Sequence, residues 1–214
     1  MRELAIIVTG YNKAPGEVTA SIIEPLLQNK GYETVISDPF EEERGGMLFD
    51  KTLLTRSPTE SFIKSTKKFL PSKADILIGY SYGGAMAVAQ DKCETKTLIL
   101  LSPALAGETV VWRGVEKRLK NLSFILPAFK DMDSKEFQRG LFRKMETLKE
   151  KGVRIVYFLP YIEGKVQDER VKYSPEILIK LKTLGEVHFI SVKKHRDMIR
   201  DEKVLNQIME RLSI

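Results

Sequence analysis

Hydrophobic residues along this chain fall into two alternating arrangements. Six short runs have the character of strands, and most of them are continuously apolar, which is typical of parallel strands covered on both faces. These strands are predicted at Leu4–Thr9, Glu33–Ser37, Ala74–Ile78, Thr97–Leu101, Val153–Leu159 and Glu186–Val192. Helical stretches are predicted at Glu17–Lys30, Pro58–Phe69, Tyr82–Asp91, Asp133–Lys151, Pro175–Leu184 and Asp201–Leu212. Such alternation predicts an α/β fold: a mainly parallel six-stranded sheet with helices on both faces.

Two places depart from simple alternation. Pro25 falls inside the first predicted helix, and we expect it to kink or split that helix because proline lacks the backbone donor. The fourth and fifth strands are separated by a mostly helical segment at 103–151, which is too long for a simple crossover. This segment is either an ordinary insertion that packs on the sheet or a helical lid over a site. The 214 residues are otherwise expected to form a single domain.

Composition narrows the class of protein. The chain is 43% hydrophobic and 30% charged, and no apolar run approaches the ~20 residues of a membrane span. It has one cysteine, Cys93, and no signal-peptide pattern, so we expect a cytoplasmic protein without an internal disulfide. The net charge of +6 comes from scattered basic residues mixed with acids, which favours a solvated surface over nucleic-acid binding.

The most specific motif is Gly79-Tyr80-Ser81-Tyr82-Gly83. It follows an apolar strand and precedes a helix rich in small residues, which is the setting of a nucleophile elbow. The two flanking glycines relieve crowding where strand and helix come closest. A plain glycine-rich turn with a solvated serine is the alternative.

A serine nucleophile needs a base, and the chain has only two histidines. His188 lies within the last predicted strand, where a structural role is expected. His195 follows that strand in a loop, which is where open α/β sheets place functional residues. His195 is therefore the candidate base, the alternative being a surface histidine in a basic loop.

The base in turn needs a carboxylate to fix its tautomer. The loop after the fifth strand offers Asp168, Glu163 and Glu169. Asp168 is preferred because Asp-x-x-Val leads shortly into a helix. Glu163 lies nearer the strand and stays open as an alternative, with Glu169 behind it.

The chain order Ser81, Asp168, His195 resembles that of the α/β-hydrolases, and the likeness covers nearly the whole chain. It implies a fold that lacks the first strands of larger members, with a lid inserted after the strand that follows the elbow helix. It also implies an oxyanion hole made by the backbone N–H groups of Tyr82 and Tyr11, and no cofactor or metal. The usual His-Gly of the family reads Thr9-Gly10 here, so the second donor is the less specific assignment.

The function expected from these residues is hydrolysis of a small-molecule ester or thioester through an acyl-enzyme. Peptidases and acyltransferases use the same triad, and a non-catalytic binding protein on the same fold is a further alternative.

Overall fold

The fold was analysed in a computed structural model, which describes residues 2–9, 15–37, 71–90, 93–105, 134–167 and 172–212. The strands are β1 Leu4–Val8, β2 Glu33–Ser37, β3 Lys73–Tyr80, β4 Glu94–Leu101, β5 Arg154–Tyr161 and β6 Glu186–Ser191. The helices are α1 Pro15–Asn29, α2 Tyr82–Ala89, α3 Ser134–Glu150, α4 Pro175–Leu184, α5 Asp197–Arg200 and α6 Glu202–Leu212.

The six strands form one sheet in the order β2-β1-β3-β4-β5-β6, and every neighbouring pair is parallel. The predicted fold class is confirmed. The chain passes from β1 outward to β2 and then returns to place β3 on the other side of β1. In open parallel sheets, ligands bind at the carboxyl ends of the strands beside such a reversal. The end of β3 lies at that place.

Two hydrophobic clusters lie on opposite faces of the sheet, as the near-continuous apolar strands predict. One joins alternate strand residues to α2, α3 and α4, and includes Leu141, Met145 and Leu181. The other joins the intervening strand residues to α1, α5 and α6, and includes Leu27 and Leu205. Helices therefore cover both faces, and the sheet edge formed by the strand ends remains the place for polar chemistry.

Most predicted boundaries agree with the structure to within a few residues. The helix at Pro175–Leu184 is found as predicted, with Ser174 as its N-cap, accepting from the backbone N–H of Ile177. The short helix α5 was not anticipated. The predicted helix at Pro58–Phe69 lies outside the described residues.

Pro25 was predicted to kink or split the first helix. A split is wrong, because α1 runs without a break through that residue, and the kink stays a prediction. Pro25 is exposed. Its ring therefore faces solvent, where water can bond the carbonyl that the missing backbone donor leaves open.

The segment at 103–151 is described only in part. Its helix α3 packs into the core: Leu141 and Met145 are buried, and the Tyr157 hydroxyl lies 3.1 Å from the Met145 sulfur. α3 is thus a covering helix of the sheet. Residues 106–133, on which the predicted lid depends, lie outside the described residues, and the lid stays a prediction.

No helix in the described ranges has the length and apolar character that crossing a bilayer requires.

Candidate active site

The predicted elbow lies at the junction of β3 and α2. Ser81 stands between strand and helix with φ 55° and ψ −122°, a sparsely populated conformation for a residue with a side chain. Its backbone N–H donates to the Leu101 carbonyl at 2.9 Å, and its carbonyl accepts from Ala104 at 2.8 Å. Backbone strain of this kind costs about 1–3 kcal/mol and persists where the surroundings hold it. Bonds to the end of β4 supply that restraint.

Close packing at the elbow explains the flanking glycines. A Cβ on Gly83 would lie 2.3 Å from the carbonyl oxygen of Thr9, in the segment that ends β1. A Cβ on Gly79 would lie 2.6 Å from the Cα of Gly84. Helix α2 therefore approaches β1 and β3 more closely than a side chain at either position permits, as the motif predicts.

His195 is brought to the same edge of the sheet. It lies between β6 and α5 and is only 4% exposed. The backbone N–H groups of Lys193 and Lys194 donate to an Asp197 carboxylate oxygen at 3.2 and 2.8 Å, which closes the loop into a tight turn. The alternative of a solvated surface histidine is excluded by this burial.

Tyr80 ties the histidine loop to the elbow strand. Its hydroxyl donates to the His195 carbonyl at 3.2 Å, and the two rings lie with centroids 5.0 Å apart. Because Tyr80 immediately precedes Ser81, this contact brings the base to the strand that carries the proposed nucleophile. Within the described part of the chain, no hydrogen bond joins the Ser81 hydroxyl to His195. Such bonds are often long in the absence of substrate.

The imidazole of His195 contacts a residue that sequence reasoning missed. Its Nδ1 lies 3.2 Å from Oγ of Ser102, and both side chains are buried. Ser102 directly follows β4, as Ser81 follows β3. A polar residue after a buried parallel strand was the available signal.

The structure tests the acid loop only at its ends. Gln167 pairs with Lys172 across the loop, and the Tyr173 hydroxyl donates to the Pro103 carbonyl at 2.8 Å. The loop is thus fastened beside Ser102. Asp168 and Glu169 themselves lie outside the described residues. Glu163 is exposed in a turn in which Ile162 and Lys165 bond each other, so the structure does not favour it as the partner of a buried histidine.

The two predicted oxyanion donors are described unequally. Tyr82 opens α2, so its backbone N–H belongs to the first helical turn, where donors lack intrahelical partners. Tyr11 lies outside the described residues. Thr9, at the base of its loop, is fully buried, and its hydroxyl has no hydrogen-bond partner among the described residues.

The other candidates have ordinary roles. His188 is partly buried in β6, its ring stacked on Phe158 at 5.1 Å, which agrees with the predicted structural role. Burial, with a smaller effect from Glu94, raises the pKa of the Cys93 thiol to about 11. A thiol of such high pKa is a poor nucleophile near neutral pH. No group of three or more potential metal ligands is found within the described ranges.

Comparison with solved structures identifies the architecture. An esterase of Pyrococcus furiosus superposes with a TM-score of 0.56 over 99% of this chain and 81% of its own, at 15% identity. A Xanthomonas campestris protein assigned to the alpha/beta superfamily of hydrolases gives a TM-score of 0.50 at 14% identity, over 98% of this chain and 99% of its own.

The chain has the α/β-hydrolase fold. A peroxisomal alpha-beta-hydrolase of Saccharomyces cerevisiae agrees with this, with a TM-score of 0.50 at 12% identity over 98% of this chain and 76% of its own. No protein-family model matches the sequence, and no curated protein matches it either. At these identities the neighbours establish the α/β-hydrolase fold, and the activity has to be argued from the site.

Proposed function

We propose that this protein is a serine hydrolase that cleaves a carboxylic ester or thioester through an acyl-enzyme. The observation that carries the proposal is the placement of Ser81 in strained backbone at the end of β3, with a buried histidine anchored to the same strand by Tyr80. A serine that is merely part of a loop needs neither feature. The α/β-hydrolase fold supports this assignment by analogy.

In the proposed mechanism, Ser81 attacks the carbonyl carbon of the substrate while His195 takes the hydroxyl proton. His195 then returns that proton to the leaving group, and water attacks the acyl-enzyme with the same base. Asp168 is the proposed carboxylate, whose negative charge stabilises the protonated imidazole. This assignment is supported by the hydrogen bonds that hold the two ends of the loop containing Asp168 beside Ser102.

The proposed oxyanion hole uses backbone donors. The N–H groups of Tyr82 and Tyr11 are assigned to it, each contributing about 3 kcal/mol to stabilisation of the transition state. The start of α2 after Ser81 supports the first assignment, since the N–H groups of a first helical turn are available to an anion. The second rests on the family resemblance.

A fluorophosphonate probe, which reacts covalently with activated serines, tests the proposal without knowledge of the substrate. We expect stoichiometric labelling, with the adduct mapped by mass spectrometry to the peptide that contains Ser81. Ser81→Ala is expected to abolish labelling and to lower esterase kcat by about 10⁴-fold or more. A folded wild-type protein that never labels would favour the non-catalytic binding alternative.

Substrate class follows from a second assay. Nitrophenyl esters of increasing acyl length, and the matching thioesters, are compared by kcat/KM. If a lid with an apolar inner face covers the site, acyl chains of moderate length are expected to be preferred. Preference for acetyl alone would contradict the lid prediction and leave the Ser81 chemistry intact.

A further inference from the structure

The contact between Ser102 and His195 links the tautomer of the neutral imidazole to the direction of one hydrogen bond. A neutral imidazole carries one proton, so this contact is made either by Nδ1–H donating to Ser102 Oγ or by the Ser102 hydroxyl donating to Nδ1. If His195 is to accept a proton from Ser81 through Nε2, that nitrogen must hold a lone pair. Nδ1 then carries the hydrogen, and Ser102 Oγ, at 3.2 Å, lies in position to accept it.

The backbone that carries the Ser102 hydroxyl is restrained. Its N–H donates to the Phe158 carbonyl of β5 at 2.9 Å, and its φ of 43° lies in the left-handed region, uncommon for serine. The residue is fully buried. A hydroxyl on a restrained, buried residue has fewer positions open to it than a surface hydroxyl, so it can favour one orientation of a neighbouring ring.

Sheet register brings this oxygen beside the proposed nucleophile. Tyr80 pairs with Leu101 as the last residues of β3 and β4, so Ser81 and Ser102 are the next residues along neighbouring strands. Ser81 also donates its backbone N–H to Leu101. An imidazole held through Nδ1 at the end of β4 therefore lies at the strand next to Ser81.

We propose that Ser102 is a positioning residue of the catalytic histidine: its hydroxyl oxygen accepts the Nδ1–H of His195 and favours the tautomer whose Nε2 is the base. This inference rests on the proposed function of Ser81 and His195. In the usual triad a carboxylate orients the imidazole and stabilises the imidazolium. Ser102 adds a neutral acceptor at Nδ1, and the carboxylate role stays proposed for Asp168.

Because Ser102 has left-handed backbone, the most suitable replacements are residues that tolerate a positive φ. Ser102→Gly removes the oxygen without backbone strain, because glycine adopts positive φ readily. Ser102→Asn keeps an acceptor, and asparagine is among the residues that tolerate this region. Ser102→Ala serves as a second oxygen-free variant. Thermal melting of each variant checks that it folds.

The first measurement is the second-order rate constant of fluorophosphonate labelling. Ser102→Gly and Ser102→Ala are expected to label Ser81 about 10–100-fold more slowly than the wild type, as for loss of a group that orients a functional histidine. Ser102→Asn is expected to recover part of that rate. Folded Gly and Ala variants that label at the wild-type rate would overturn the proposal, as would an adduct mapped to Ser102 itself.

The second measurement needs no enzymatic activity. With only two histidines in the chain, a His188→Gln variant assigns the ¹⁵N imidazole signals of His195. We expect the neutral ring to show the Nδ1–H tautomer, and Ser102→Gly to lose that signature. An Nε2–H tautomer in the wild type would show Ser102 to be the donor and contradict the inference.

These two readouts separate the inference from the function beneath it. If the wild type fails to label at Ser81, the proposed function fails whatever tautomer is observed. If Ser81 labels normally but His195 shows the wrong tautomer, the hydrolase proposal stands and the role given to Ser102 does not.

Discussion

Polar residues differ between the two ends of the strands, which we call the carboxyl edge and the amino edge of the sheet. At the carboxyl edge, Ser81, Ser102 and His195 are buried, and the Ser102 hydroxyl lies 3.2 Å from Nδ1 of His195. At the amino edge, charged side chains meet in solvent: Lys96 lies 2.6 Å from Asp75, and Arg154 bonds Glu186. Exposed ion pairs contribute little to the free energy of unfolding. A buried polar group destabilises the folded protein when it has no hydrogen-bond partner, and a buried hydrogen bond holds its two groups in a defined geometry.

Backbone conformation shows the same contrast. Three described residues other than glycine have positive φ, and two of them, Ser81 and Ser102, are neighbours at the carboxyl edge. The third is Glu163, in an exposed turn. Strain concentrated next to a buried histidine is typical of a functional site, and the amino edge shows none of it in the described residues. Substitutions at the two edges should therefore differ in size and in kind.

The largest effect is expected at the elbow glycine. Gly83→Ala places a Cβ within 2.4 Å of two backbone carbonyl oxygens, those of Thr9 and Val8. Since neither can move without disturbing β1, we expect a loss of about 3 kcal/mol or more in the free energy of unfolding. Urea denaturation followed by circular dichroism measures it.

Gly152→Asn is the matched control for that experiment. Gly152 has φ +81° with open space around its Cβ position, and asparagine tolerates left-handed backbone. Its loss should stay below about 1 kcal/mol. Equal losses at Gly83 and Gly152 would mean that close packing does not explain the elbow.

Next in size is the hydrogen bond that fastens the acid loop. Tyr173→Phe removes the buried donor to the Pro103 carbonyl, which still accepts from the backbone N–H of Leu105 at 3.0 Å, so we expect a loss of about 0.5–1.5 kcal/mol in the free energy of unfolding. The fluorophosphonate labelling rate of Ser81 should fall as well, because Pro103 adjoins Ser102. Tyr161→Phe, at a tyrosine that is 40% exposed, is the control and should leave both quantities almost unchanged. If the Tyr173→Phe protein is as stable as the wild type, the hydrogen bond from Tyr173 to Pro103 does not hold the acid loop in place.

A smaller and pH-dependent effect is expected at the amino edge. Hydrogen bonds from Lys96 and from the Leu4 backbone N–H hold the pKa of Asp75 below its usual value. Because its pKa is lowered in the folded protein, the ionised Asp75 carboxylate adds stability at pH values above the ordinary pKa of aspartate. That stability is lost as the pH falls and the carboxylate is protonated. Asp75→Asn should therefore cost about 1 kcal/mol or less at pH 7, and the difference from wild type should shrink below about pH 4.

Urea unfolding at both pH values measures the Asp75 effect, and labelling of Ser81 should be unaffected throughout. A change in labelling rate would contradict the functional separation of the two edges.

The smallest effect is expected at Thr9. Its buried hydroxyl lacks a partner among the described residues, so Thr9→Val exchanges an unpaired polar group for a methyl of similar size. We expect the free energy of unfolding to stay level or rise by about 1 kcal/mol. Thermal melting measures it, and a clear loss of stability would show that the hydroxyl is satisfied in the folded protein.

Much of the fold was predictable because local signals agreed with the tertiary arrangement. Continuous apolar runs are required for strands buried on both faces, and all six were found where they were predicted. The elbow was equally accessible, since Gly79, Ser81 and Gly83 form a motif that is visible in the sequence, although Gly83 packs against the distant residues Val8 and Thr9. Pro25 shows where a local rule failed, since α1 continues through this residue, which is exposed.

Ser81 and His195 could be chosen from the sequence, because residue type, motif and position after a strand all pointed to them. The partner of His195 could not. Ser102 carries no motif, and its significance comes from strand order, since β4 lies between β3 and β5 and ends beside the histidine loop. The sequence by itself determined the fold class and the candidate nucleophile and base. Tertiary structure alone decided which oxygen faces Nδ1, because that contact joins residues 93 positions apart through the register of a sheet.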